Sequence, residues 1–128
     1  MPGTTQVVSI TGRQTTAGAA EETLLLSEDR AAPAASLGVP SQTTLVISDV
    51  DCAVTNGAGL VLRLEQDNGS GFFTIGRIKV DGVTALANPK VAWVVDGSAG
   101  AAVLFRVQIQ TLGGSADVTC TIRAYREF

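Results

Sequence analysis

Apolar and polar residues alternate with a period of two along much of the C-terminal half of the chain. Val103, Phe105, Val107 and Ile109 fall on one face, and Leu104, Arg106, Gln108 and Gln110 on the other. After a break at Gly113-Gly114, Val118, Cys120, Ile122 and Ala124 share a face, against Asp117, Thr119, Thr121, Arg123 and Tyr125. Alternation of this length belongs to a half-buried strand, because a helix repeats its faces every ~3.6 residues.

The same reading extends upstream. Residues 43–50 form a strand with Leu45 and Ile47 on one face. Residues 60–66 form the next, with Leu60, Leu62 and Leu64 inward and Arg63 and Glu65 outward. Asp67-Asn68-Gly69-Ser70-Gly71 is a hairpin turn, since Asn-Gly supplies the positive φ that tight turns require. Residues 72–80 follow, and their apolar phase switches from Phe73/Ile75 to Ile78/Val80 across Gly76-Arg77, which reads as a β-bulge. Residues 91–95 are nearly all apolar, as in a strand buried on both faces.

The N-terminal part is less periodic. Residues 21–28 hold three consecutive leucines, a pattern shared by a strand and a helical turn. Residues 29–42 carry Pro33, Gly38 and Pro40 and read as a loop or edge segment. Within residues 1–20, residues 6–11 fit a short strand, and the rest is small, polar and Gly-bearing. The segment reads as an extended arm that is mobile unless another surface binds it, or as a frayed terminus. The expected architecture is an all-β, antiparallel β-sandwich or jelly roll of about eight strands over residues 21–128, preceded by the arm 1–20.

Composition narrows the function classes. The 128 residues suffice for one domain. No apolar run reaches the roughly 18–20 residues of a spanning helix, and no secretory signal follows Met1, so no membrane partner is expected. Nine basic against 12 acidic residues argue against a nucleic-acid partner. The absence of histidine removes most metal sites and most general-base mechanisms, so no cofactor and no enzyme activity are expected. Cys52 and Cys120 are one disulfide or two buried thiols; the missing signal peptide favours thiols.

Two acidic motifs could carry chemistry. Asp49 and Asp51 lie on one side of an extended strand, about 7 Å apart, a spacing compatible with glycoside hydrolysis or Ca²⁺. A carboxylate pair at a strand end more often serves turn chemistry. The Asp67–Gly71 run resembles part of a calcium loop but lacks the distal bidentate Glu, so the hairpin reading prevails.

The outward arginines are the more informative feature. Arg63, Arg77, Arg106, Arg123 and Arg126 lie in or beside strands, and Arg outnumbers Lys seven to two. Arginine is favoured over lysine where planar, bidentate pairing forms at interfaces. With Gln108, Gln110 and Tyr125, the residues Arg63, Arg77, Arg106 and Arg123 form the candidate interface set. Only 16% of residues are charged, low for a small domain whose whole surface meets water.

The stretches Leu60-Val61-Leu62-Arg63-Leu64-Glu65-Gln66-Asp67-Asn68, Phe72-Phe73-Thr74-Ile75-Gly76-Arg77-Ile78, Phe105-Arg106-Val107-Gln108-Ile109-Gln110 and Ile122-Arg123-Ala124-Tyr125 resemble the capsid decoration (cement) proteins of tailed bacteriophages. The resemblance spans about residues 43–126. It implies a β-sandwich on the outside of a virion, commonly a homotrimer, contacting the major capsid protein through polar and arginine-bearing faces. It implies no catalytic residues, and an arm at residues 1–20 that lies across the lattice. A receptor- or carbohydrate-binding module of a fibre or spike is the alternative. It is weakened because only six aromatics are present and Trp93, Phe73 and Phe105 read as core, leaving Phe72, Tyr125 and Phe128. A coat protein of a small RNA phage ranks third, because such proteins end in helices and carry a basic inner face.

Overall fold

A computed structural model describes residues 5–17, 21–29, 32–40, 43–55, 59–81, 84–87, 93–96, 103–111 and 116–127. The described residues contain eleven strands and no helix: β1 (Thr5–Ala17), β2 (Glu22–Leu24), β3 (Leu26–Glu28), β4 (Leu37–Val39), β5 (Thr44–Thr55), β6 (Gly59–Asp67), β7 (Phe72–Asp81), β8 (Thr84–Ala87), β9 (Trp93–Asp96), β10 (Val103–Thr111) and β11 (Ala116–Glu127). All pairings are antiparallel and divide into two sheets. The first sheet runs β3-β1-β11-β5-β8, with β9 also on β5. The second runs β2-β10-β6-β7, with β4 also on β10. The protein is an all-β sandwich.

The inward faces are the ones the alternation marks. Leu60, Leu62, Leu64, Val103, Phe105, Val107 and Ile109 of the second sheet meet Val118, Cys120, Ile122 and Ala124 of the first in one buried cluster. Interlocked apolar faces of this kind supply most of a sandwich's stability.

Strand β1 corrects the expectation of a free arm. Between Thr5 and Ala17 the chain pairs with β11 on one side and β3 on the other, and Val8 and Ile10 are buried. Val8, Ile10 and Gly12 alternate like any core-facing strand, and the strand runs beyond the 6–11 stretch, where the small and polar residues that follow mask its signal. Residues 1–4 and 18–20 lie outside the described part.

The three leucines of residues 21–28 mark a crossing between sheets. Leu24 ends β2 on the second sheet and Leu26 begins β3 on the first, and both are fully buried while Leu25 points outward. Two short strands thus replace the strand-or-helix ambiguity. They, together with β4 and β8, raise the strand number above the expected eight.

Two bulges set side-chain phase. On β5, Ser48 is the extra residue between the Ile47–Ala124 and Asp49–Arg123 pairs, and its hydroxyl donates to the Arg123 carbonyl at 2.9 Å. The inward set accordingly passes from Leu45 and Ile47 to Val50, Cys52 and Val54. On β7 the extra residue is Ile75, between the Gly76–Leu64 and Thr74–Glu65 pairs, one position before the expected Gly76-Arg77. Across it, Phe73 keeps the core-side phase opposite Gln66 but lies at the end of an edge strand, and it is 47% exposed rather than buried. Phe105 is buried as expected, and the Trp93 side chain lies outside the described set.

Candidate functional site

The outer face of the second sheet gathers five of the seven candidate residues. Register places Thr23, Gln108, Arg63 and Arg77 in one row across β2, β10, β6 and β7. The next row is Arg106, Glu65 and Thr74, and beyond it Leu104, Asp67 and Phe72. On the other side lie Gln110, Val61 and Lys79. Because side chains of directly opposed residues share a face, β-pairing alone brings together groups more than forty positions apart in sequence.

Glu65 anchors this face. Its side chain is only 7% exposed, contrary to the expected open position, because its neighbours close over it. Arg106 Nε donates to Glu65 Oε1 at 2.8 Å, and the same guanidinium lies 3.7 Å from the centroid of the Phe72 ring. Arg63 Nη2 is 3.9 Å from the other Glu65 oxygen and ion-pairs with Glu21. Gln108 accepts from Thr23 Oγ1 at 2.5 Å and donates to Glu21 Oε1 at 3.4 Å. The result is a cross-linked polar sheet face in which Arg63 and Arg106 are held in place by carboxylates and an aromatic ring.

Arg77 differs from its neighbours. It is exposed and directly opposite Arg63, and among the described residues no ion pair includes it. Like charges directly opposed on a sheet disfavour each other. Two apolar groups flank this region: Leu104, 41% exposed, on the same face, and Phe73 at its hairpin end.

The other two candidates, Arg123 and Tyr125, lie on the outer face of the first sheet. Arg123 Nη1 donates to Asp49 Oδ1 at 2.8 Å and to Asp51 Oδ2 at 2.5 Å. These hydrogen bonds, Asp49 first, raise the Arg123 pKa above its ordinary value. The two carboxylates considered for Ca²⁺ or hydrolysis therefore share one guanidinium. Among the described residues no group of three His, Cys, Asp or Glu could hold a metal. Tyr125 is half-buried between Val7 and Val46 in register.

Two further expectations resolve here. The Asp67–Gly71 run is a hairpin turn: Gly69 and Gly71 have φ of 109° and 107°, and Asp67 Oδ1 accepts from both of their amides, at 2.6 and 3.1 Å. Arg126, read as outward, points into the core side of β11 instead. It is 9% exposed, ion-pairs with Glu28 and donates to the Gly38 carbonyl at 3.5 Å. Its even-numbered position, in phase with Ile122 and Ala124, carries that signal in the sequence.

A shallow cleft of about 340 Å³ opens beside β1 and β3, lined by Thr11, Gly12, Arg13, Leu25, Ser27, Pro33 and Thr119. It gathers no acid–base pair and no nucleophile with a base.

The chain matches no family model and no curated protein. Among solved structures, it is similar to a chain of the cyanophage Pam1 capsid asymmetric unit, at 15% sequence identity over 97% of this chain and 86% of that one, with a TM-score of 0.40.

Proposed function

We propose that the protein is a structural virion component, a capsid decoration (cement) protein that binds the outer surface of a phage head and bridges capsid subunits without chemistry. The outer face of the second sheet carries this reading. It presents Arg63, Arg77, Arg106, Gln108 and Gln110 on one face, with no ion pair to Arg77 among the described residues and Leu104 exposed beside them. Three of the four stretches that resemble decoration proteins are β6, β7 and β10, the strands of this face. A sheet face of braced arginines suits carboxylate groups on a neighbouring protein.

In this reading the partners are the major capsid protein and further copies of the chain in a homotrimer, with neither nucleic acid nor membrane involved. Weak single contacts become firm attachment when three copies bind together. The second reading, a receptor- or carbohydrate-binding module of a fibre or spike, gains the exposed Phe73 ring.

Cryo-electron microscopy of the particle that copurifies with the protein tests both. Density for the sandwich on the head exterior, with its arginine-bearing sheet against the shell, is the expected result. Location at a fibre tip supports the second reading, and absence from the particle overturns both. Light scattering of the isolated protein is expected to give a trimer.

A further inference from the structure

We infer that Cys52 and Cys120 are a thiol pair placed to close a disulfide across the first sheet within the folded protein. The inference is independent of the capsid reading, since it rests only on the interior of the sandwich.

The two residues are directly opposed in the β5/β11 register and share the inner face. Their sulfur atoms are 3.7 Å apart, in contact, and both thiols are free. Directly opposed residues of an antiparallel pair have Cα atoms about 4.5–5.5 Å apart, inside the range of about 4.4–6.8 Å that a disulfide spans. Bond formation therefore asks for side-chain rotation rather than backbone displacement. On the β1 side the same row holds Gly12 opposite Cys120, which has no side chain to set against the pair. The chain has no third cysteine to compete.

Burial decides the oxidant. Cys52 and Cys120 are 4% and 3% exposed, which favours a small oxidant such as a peroxide over a bulky disulfide. One thiolate attacks a peroxide oxygen. The O–O bond breaks, a sulfenic acid forms, and hydroxide leaves to become water with the thiol's proton. The second sulfur then attacks the sulfenic sulfur; the S–S bond forms as the S–O bond breaks, and hydroxide leaves as a second water with the second proton. Two thiols are oxidised by two electrons and one hydrogen peroxide is reduced to two waters. The hydrogen bond to Cys52, and then burial, hold the Cys120 thiol well above its usual pKa, so the reaction is slow. The closed loop would enclose 68 residue steps, including all of β6, β7 and β10, which constrains the unfolded chain strongly.

The test is treatment of the folded, reduced protein with hydrogen peroxide. Thiol titration after denaturation is expected to show both thiols lost, intact mass to fall by two hydrogens, and a non-reducing gel to show no new oligomer. The urea unfolding midpoint should rise by on the order of 1–2 M and return on addition of dithiothreitol. Cys52→Ser and Cys120→Ser should each abolish that rise. If either variant fails to fold, the reduced and oxidised wild type still decide the matter. Retention of both thiols in the folded protein overturns the inference, as does a mass gain of oxygen without disulfide or a disulfide formed only between chains.

Discussion

Arg77 stands directly opposite Arg63 across the β6/β7 pair, yet among the described residues only Arg63 has carboxylates within reach, on Glu21 and Glu65. A positive charge placed against another, at the exposed edge of a sheet, costs the fold a little. That cost is tolerable if the charge is used by a partner.

Replacing Arg77 tests this division of labour. Arg77→Thr removes a like-charge opposition and inserts a good strand former, so stability should hold or rise by about 0.2–1 kcal/mol. Attachment to phage heads, read by cosedimentation, should weaken. Unchanged attachment would mark Arg77 as ordinary surface. Arg106 is a poorer probe, because Arg106→Ala also strips the Phe72 stack and the bond to Glu65.

Glu65→Gln should be more damaging than its outward position implies. The side chain is nearly buried beneath two arginines, and neutralising it leaves both without that acid. The expected loss is about 2–3 kcal/mol in urea unfolding, discounted because the arginines are partly in water. A loss below ~0.5 kcal/mol would show that the network is solvated.

Gly12 is a point of close approach between the sheets. A Cβ there would stand 2.6 Å from Leu24 Cδ2 and 3.1 Å from the Leu25 carbonyl oxygen. Gly12→Ala should cost about 1–3 kcal/mol by overpacking. Gly38→Ala, where a Cβ meets nothing within 4 Å, should stay within about 0.5 kcal/mol of wild type.

Removal of residues 1–20 should unfold the protein, because β1 lies between β3 and β11 and buries Ile10. Loss of the cooperative unfolding transition is the expected observation. Ile10→Ala alone should cost about 2–5 kcal/mol.

Calcium should not alter stability. Asp49 and Asp51 both engage Arg123, so the urea midpoint should be the same with and without millimolar Ca²⁺. An upward shift with Ca²⁺ would mean the cation displaces the guanidinium.

Much of the fold was legible in the spacing of apolar residues. The inward sets of β6, β10 and β11, the Asp67–Gly71 turn and the need for a bulge in β7 follow from a period of two and from glycine's access to positive φ. The candidate residues were legible as outward positions, but not as a group. Nothing local says that Arg63, Arg77 and Gln108 share a row, or that Arg123 belongs to the opposite sheet.

The amino-acid order by itself determined the strand class and most core-facing side chains, because each strand announces its buried face through its own alternation. Only the tertiary structure decided which strands are neighbours. Pairing between distant segments placed Cys52 against Cys120, made β1 an interior strand, carried the chain between sheets at Leu25 and roofed Glu65 with arginines. These outcomes depend on contacts between segments far apart in the chain, to which periodicity within one segment is blind.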